Sequence, residues 1–438
     1  MLRLGRVDNQ ATPVKLLLLN AHSPRNAGDL AILEASLACL RTAFPAASIT
    51  VAINDIDDAL LPADVLYVRS LTRWLVALHA DGTWRWHKAL APLFALWLGV
   101  AALAYRLLGV QLLPSGRSRQ ALMCAYYDAD LVAVIGGGHL YAPHRFNIAF
   151  LWLWAGLACA VIMRKPLVLL PQSFGPLPGR FQRALLRWLL DHSQFVAARE
   201  YRSLQLLADI GVKQRVLVLP DLAFCTEQAP LDALATLPAL AQARCTQRPL
   251  IGVTLMDWGG QNARFQQQQQ YETAMVALIE HMIDRYDAQV ALFAQCVGPT
   301  PAQDDRLVAT RIAARLPGRA LIRADQPLAP AVLKTAYAQL DLLVATRMHS
   351  AIFALSAGVP TLAIGYLHKS TGIMEMLGLV AHTLDIADAN TARCLAHFEA
   401  LWAARADVRL LLAQRIPALQ ATLAHLPALV SLTEEARS

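Results

Sequence analysis

The stretch Asp341 to Gly378, DLLVATRMHSAIFALSAGVPTLAIGYLHKSTGIMEMLG, alternates twice between a short apolar run and a helical pattern, with a basic loop at each junction. That rhythm constrains the fold more than any other feature, because strand, loop and helix repeated in this order build a parallel sheet whose loops gather at one edge. Leu342 to Ala345 ends at Thr346-Arg347-Met348-His349, and the spacing has Ser350 open a helix that stops at Gly358, with Pro360 just beyond. Thr361 to Ile364 follows, then Tyr366, His368 and Lys369 before a helix start at Ser370 and Thr371. Between a strand's carboxyl end and a helix's first turn, α/β folds bind anions, because free N–H groups and the positive dipole end point there. Arg, His and Lys therefore stand at one rim.

The same rhythm runs through the earlier chain. Apolar runs at Val14–Leu19, Ile49–Ile53, Asp130–Ile135, Leu167–Leu170, Gln194–Ala197 and Val216–Leu219 predict strands. The first ends near Asn26-Ala-Gly28-Asp29, with a helix from Leu30 to Arg41 that Asp29 is placed to cap. The third runs into Gly136-Gly137-Gly138, the fourth into Pro171-Gln172-Ser173, and the fifth into Ala198-Arg199-Glu200. After Asp221, residues 226–248 are rich in Ala, Leu, Gln and Pro and lack a strand, which marks an interdomain connection. Strands at Pro249–Leu255, Val290–Ala294 and Ala320–Ile322 then lead into the opening stretch, and residues 383–438 read as helical throughout, able to pack back across the domains. A chain of 438 residues exceeds a single core. The expected class is α/β, with two doubly wound, Rossmann-like domains facing a cleft: residues 1–225, residues 249–382, and closing helices over 383–438.

Composition adds a second theme. Hydrophobic residues make up 56% of the chain and mean hydropathy is +0.39, high enough to demand a large core or contact with something apolar. Two uncharged runs stand out, Ala89–Tyr105 and Ile148–Met163, each shorter than the roughly 20 residues of a spanning helix. Burial in the first domain, interfacial contact with a membrane and true spanning are three open readings, and Trp at 74, 84, 86, 97, 152 and 154 favours the interface. The net charge of +7 is Arg-rich and dispersed, which fits anionic small substrates or an anionic membrane surface and argues against nucleic acid. Seven scattered cysteines without a C-x-x-C pair suggest free thiols, and MLRLGRVDNQATP offers no long apolar segment of a secretory signal. Both point to the cytoplasm, and the interfacial reading of the apolar runs would add peripheral contact at the inner membrane face.

The chain lacks G-x-G-x-x-G and G-x-x-x-x-G-K-[ST], which argues against a nicotinamide dehydrogenase and a P-loop kinase, and no H-E-x-x-H suggests zinc. What it has is an ordered set of pieces: Asn26-Ala-Gly-Asp29 with Ala31-Ile-Leu33, Val134-Ile-Gly-Gly-Gly138, Leu170-Pro-Gln-Ser-Phe-Gly-Pro176, Ala198-Arg-Glu200 with Ser203, Asp221, and Arg347-Met-His-Ser350 through Ala357-Gly-Val-Pro360 to Tyr366 and Lys369. Together these resemble the polysaccharide pyruvyl transferase family. The resemblance implies a GT-B-like fold and transfer of a pyruvyl group from phosphoenolpyruvate to a sugar, as a ketal, without cofactor or metal. Under it, Arg347, Lys369, Arg199 and the helix start at Ser350 hold the donor's phosphate and carboxylate. Asn26, Gly28, Gly137, Gly138, Gln172, Ser173 and Tyr366 complete the substrate site. His349 is the candidate proton shuttle. Asp29 takes the acceptor hydroxyl's proton, or is a plain helix cap. One departure stands at Met256-Asp257-Trp258, where relatives often carry Arg, with Arg264 as a substitute cation. The acceptor is a saccharide, with a polyprenyl-linked one as the membrane-facing version. The competing class is a GT-B glycosyltransferase using a nucleotide sugar, for which Glu375 is the available carboxylate near the last strands.

Overall fold

The computed structural model describes residues 13–57, 59–78, 84–262, 265–365 and 368–435. Its first sheet contains β1 (Lys15–Ala21), β2 (Ser48–Ile53) and β3 (Leu66–Arg69), and a separate hairpin pairs β4 (Val76–Leu78) with β5 (Trp84–Trp86). The first sheet continues with β6 (Leu131–Val134), β7 (Gly137–Leu140), β8 (Leu167–Phe174), β9 (Phe195–Ala198) and β10 (Val216–Val218). The second holds β11 (Leu250–Thr254), β12 (Gln289–Phe293), β13 (Leu321–Ala324), β14 (Leu342–Ala345), β15 (Thr361–Gly365) and β16 (Thr383–Asp385). All pairings within the two large sheets are parallel. The runs are apolar along their whole length because helices cover both faces; β6, β11 and β14 are buried at every position.

The strand order is β10-β9-β8-β6-β1-β2-β3 in the first sheet and β13-β12-β11-β14-β15-β16 in the second. Each winds outward in both directions from a central strand, so each has a point where loops from adjacent strands part. These points lie between β1 and β6 and between β11 and β14, and crevices there are the ligand sites of doubly wound sheets.

Four elements differ from the sequence expectation. The strand begun at Leu167 runs on to Phe174, because β7 pairs with its end, Gly137 opposite Gln172 and Leu140 opposite Phe174. The glycine triplet and Gln172-Ser173 therefore belong partly to strands rather than to open loops. The first helix starts at Ala27, not Leu30: Asn26 is its cap, accepting from the Gly28 N–H at 3.0 Å, and Asp29 stands in the first turn instead of capping it. The helix after β14 starts at Met348 with Arg347 at the cap position, so Ser350 is an interior residue. Residues Thr383–Asp385 add β16 to the second sheet, so the closing helices begin at Thr391. They do span the domains. Thr391–Ala424 packs on Gln268–Tyr286 of the second domain, and Leu426–Glu435 packs on Ala27–Ala43 of the first.

The two apolar runs have different fates. Ile148–Ile162 lies largely inside the first domain, between Ala91–Leu108 and Arg180–Asp191. Ala91–Leu108, which Pro92 begins rather than breaks, buries Leu98, Ala101 and Ala102 and exposes Leu93, Leu96, Val100, Leu103 and Leu107. Among the described residues it is the one helix long and apolar enough to cross a membrane by length and composition. Of the six indoles, Trp74 and Trp152 are buried, and Trp74 packs against Phe94, Trp97 and Trp152.

Candidate active site between the two sheets

The loop after β1 reaches the second domain before its helix begins. Ala27 N–H donates to the Gln295 carbonyl at 3.0 Å and Val297 N–H to the Arg25 carbonyl at 2.9 Å, joining the carboxyl ends of β1 and β12. His349, in the first turn of the helix after β14, lies against the first turn of the helix after β1. A methyl group on Gly28 would sit 2.1 Å from His349 Nδ1, so only glycine lets the two helices meet there. On its other side, His349 Nε2 stands 4.0 Å from Asp221 Oδ2.

These contacts close a cavity of about 180 Å³. Asn26 and Asp29 line it from the cap and first turn of the helix after β1, Gly137 and Gly138 from the start of β7, Arg199 from just beyond β9, and Gln295, Arg347 and His349 from the second domain. Each guanidinium is anchored by a buried carboxylate. Arg199 donates through Nη1 to Asp221 at 2.5 Å and through Nε to Ser173 Oγ at 2.6 Å. Arg347 donates through Nη2 and Nε to Asp305 Oδ1 at 2.5 and 3.2 Å. Asp305 Oδ2 also accepts from the Cys296 and Gln295 N–H groups, at 2.9 and 3.2 Å. The two carboxylates differ in charge balance. Burial pushes Asp305 up, and Arg347 with those two N–H groups does not fully offset it. Burial also pushes Asp221 up, but Arg199, His349 and the Ala223 N–H together hold it below the usual carboxylate range.

Seven of the sequence candidates thus converge on one cavity: Asn26, Asp29, Gly137, Gly138, Arg199, Arg347 and His349. Four stand behind its wall. Gly28 makes room for His349, and Ser173 orients Arg199 and Glu200. Gln172 is fully buried, with neither end of its amide hydrogen-bonded. Ser350 donates to Gln295 Oε1 at 3.0 Å and offers no helix start to a ligand. Tyr366 and Arg264 lie outside the described residues, and Lys369 is placed only by its backbone, in the first turn of the helix His368–Leu377.

Sequence reasoning missed Asn20, His22, His139 and Gln295 on the lining and Asp305 behind it. Asn20 has φ of 68° at a break in the register of β1, a conformation Asn tolerates better than most residues. His22 Nδ1 lies 3.5 Å from Asp29 Oδ2. Gln295 accepts from Tyr337 and Ser350 through Oε1, which turns Nε2 outward as a buried donor with no protein partner, as Asn20 Nδ2 also is. Asp257 does not replace a cation. It caps the short helix Trp258–Gln261 through Gly260 N–H at 2.7 Å and pairs with Arg311 at 3.2 Å. Glu375 is engaged across the domains by Arg202 at 2.5 Å.

The fold and this chain's sequence both have relatives. Over 92% of this chain and 91% of the other, the structure is similar to a putative UDP-N-acetylglucosamine 2-epimerase from Listeria monocytogenes, with TM-score 0.57 at 14% identity. The UDP-GlcNAc 2-epimerase of Neisseria meningitidis gives 0.54 at 12% identity, covering 97% of this chain and all of that one. These likenesses show the fold: two Rossmann-like domains in the GT-B arrangement. In sequence, the amylovoran biosynthesis protein AmsJ of Erwinia amylovora is 28% identical over 264 residues, which is 59% of this chain and 61% of that protein's length. The family model for polysaccharide pyruvyl transferase matches residues 26–368, from the Asn26 cap to the helix after β15. With that match running through both domains and most of the cavity's lining residues, the chain belongs to the polysaccharide pyruvyl transferase family.

Proposed function

We propose that this protein transfers the pyruvyl group of phosphoenolpyruvate onto a pair of sugar hydroxyls as a ketal, releasing inorganic phosphate. The observation that carries the reading is the meeting of Arg199 and Arg347, from opposite domains, in one cavity with His349. Phosphoenolpyruvate presents a phosphate and a carboxylate on neighbouring atoms, and two fixed guanidiniums complement that pair. Bonds to Ser173 and Asp221 occupy Nε and Nη1 of Arg199, which leaves Nη2 for an anion. Asn20 Nδ2, Gln295 Nε2 and the N-terminus of the helix Met348–Ser356 supply uncharged donors.

The chemistry balances without a redox partner. One acceptor hydroxyl adds to C2 of the enol while C3 gains a proton and becomes a methyl group. The C2–O bond to phosphate breaks, and the second hydroxyl closes on C2, its proton leaving with the phosphate. His349, with Asp221 behind it to stabilise the imidazolium, is placed to protonate C3. Asp29, beside His22, takes the proton of the attacking hydroxyl.

The acceptor is a saccharide carried on a lipid, presented at the inner face of the membrane. Residues 82–190 hold eleven Lys and Arg against two Asp, so this stretch carries the chain's whole positive excess. The exposed stripe Leu93, Leu96, Val100, Leu103 and Leu107 lies within it. An apolar stripe amid basic residues suits an anionic bilayer surface. Vesicles of phosphatidylglycerol should pellet the protein and phosphatidylcholine vesicles should not; equal binding, or none, removes this part of the reading.

The activity itself is tested with phosphoenolpyruvate and a membrane glycan extract. Phosphate release should accompany the mass gain of one pyruvyl ketal on the glycan, and His349→Ala should abolish both. Phosphate release that requires a nucleotide sugar instead would sink the proposal.

A further inference from the structure

A second cavity of about 430 Å³ opens between the domains and shares His22 with the first. Its chemistry is different. Where the first is lined by two guanidiniums, a carboxylate and imidazoles, the second has Arg73 as its one formally charged lining residue among those described. Tyr141 and Trp258 supply aromatic surface from opposite domains. Asn54, Gln261 and Gln303 supply side-chain amides. Gln261 spends its Nε2 on the Ala302 carbonyl at 2.9 Å, and Gln303 spends its Oε1 on the Thr300 hydroxyl at 3.1 Å. The cleft is therefore left with an amide acceptor on one residue and an amide donor on the next. Such a lining is poorly suited to an anion and well suited to a ring with one apolar face and a rim of hydroxyls.

We infer that this cleft is the acceptor subsite, holding a neutral pyranose that packs on Trp258 and Tyr141 and presents its hydroxyls past His22 to the donor cavity. The inference rests on the pyruvyl reading above and locates its acceptor. It also accounts for Met256-Asp257-Trp258. Asp257 caps the short helix Trp258–Gln261 and is held by Arg311, so the turn that lacks a cation carries an aromatic platform instead. His22, 3.5 Å from Asp29, stands at the passage between the two cavities, where a sugar hydroxyl would meet the base. The acceptor thus enters from the open cleft while the donor lies deeper, against the arginines.

The test separates binding from turnover. Oligosaccharides released by mild acid from the membrane glycan extract are probed by saturation-transfer NMR against the wild type, Trp258→Ala, Trp258→Phe and Gln303→Ala, and the same proteins are assayed with phosphoenolpyruvate. Trp258→Ala and Gln303→Ala should each raise the KM for the acceptor about tenfold, the equivalent of one stacking or hydrogen-bonding contact, with the KM for phosphoenolpyruvate unchanged. Trp258→Phe should recover most of the loss. Unchanged acceptor KM and saturation transfer in both alanine variants, with normal phosphoenolpyruvate turnover, would overturn the subsite. Saturation transfer that depends on Trp258 in an enzyme that never consumes phosphoenolpyruvate would keep the subsite and reject the pyruvyl reading.

Discussion

The two halves of the arginine-lined cavity bury the same pair, an arginine on an aspartate, and treat it differently. In the first domain Asp221 faces Arg199 and, 4.0 Å away, His349 from the other domain. In the second, Asp305 faces Arg347 and two backbone N–H groups. Burial raises both carboxylates; Arg199, His349 and the Ala223 N–H outweigh it at Asp221, whereas Arg347 and two N–H groups leave burial dominant at Asp305. A buried carboxylate is therefore poor evidence of its own charge until its partners from every side are counted. The comparison also separates the guanidiniums. Arg199 is nearly sealed, at 2% exposed, whereas Arg347 at 9% keeps more of its fork toward the cavity. On this geometry Arg199 is the more enclosed wall of the cavity and Arg347 the more open one.

Removing the carboxylates should break the symmetry most visibly. Asp221→Asn strips the counter-charge from the buried Arg199 and removes the carboxylate beside His349, and a buried ion left without its partner costs about 3–5 kcal/mol. Asp305→Asn should cost less, because the amide oxygen still accepts from the Cys296 and Gln295 N–H groups and Arg347 can turn to the cavity. Urea unfolding midpoints decide this; equal losses would erase the distinction. The pH dependence of the same transitions has opposite signs. Asp221, with a lowered folded pKa, contributes stability present above its unfolded value near 4 and lost as pH falls through the folded one. Asp305, with a raised pKa, contributes stability present below that unfolded value and lost as pH rises through the folded one. Each Asn variant should delete its own slope. His349→Gln should move Asp221 toward the behaviour of Asp305.

A smaller effect is expected where the domains touch. Gly28→Ala places a methyl group 2.1 Å from His349 Nδ1, so the ring must leave its position beside Asp221 or the helices must part. Overpacking of this kind costs about 1–3 kcal/mol, and activity should fall by at least about tenfold as the imidazole moves. In a His349→Ala background the stability cost at position 28 should vanish. A cost that persists there would mean that Gly28 serves its own helix rather than the meeting of the two domains.

How much of this was legible in the sequence depends on how local each cause is. Strands betray themselves because both faces are buried, so the runs at Leu16–Leu19 and Leu342–Ala345 needed no partner to be recognised. The onset of the helix after β14 was misplaced because Ser350 looks like a cap, while its hydroxyl is spent on Gln295, 55 residues away. β8 outran its apolar run because β7, a strand built from glycines, pairs with its polar end. Arg347 could be picked out from its loop, but Asp305, which fixes it, sits 42 residues upstream in a different helix and carries no local mark. Asp29 and Asp221 stood in legible pieces of sequence, but Asp305 and Gln295, which complete the site in the second domain, are set by tertiary contact alone.

The smallest effect belongs to an ion pair that crosses between the domains near the surface. Arg202 and Glu375 join the two domains at 2.5 Å, as closely as either buried pair, yet their side chains are 44% and 35% exposed. Solvent competes for both partners and salt screens them, so Glu375→Ala should shift stability by only about 0–1 kcal/mol despite the short distance. That makes burial, rather than proximity, the property that distinguishes this pair from Arg199–Asp221 and Arg347–Asp305. The same variant bears on function. Glu375 is the carboxylate that a nucleotide-sugar enzyme of this fold would need for a ribose, and in this chain Arg202 already holds it. Pyruvyl transfer by Glu375→Ala should therefore proceed at the wild-type rate, measured as phosphate released from phosphoenolpyruvate. A large loss, with stability intact, would place Glu375 on a ligand and reopen the glycosyltransferase reading.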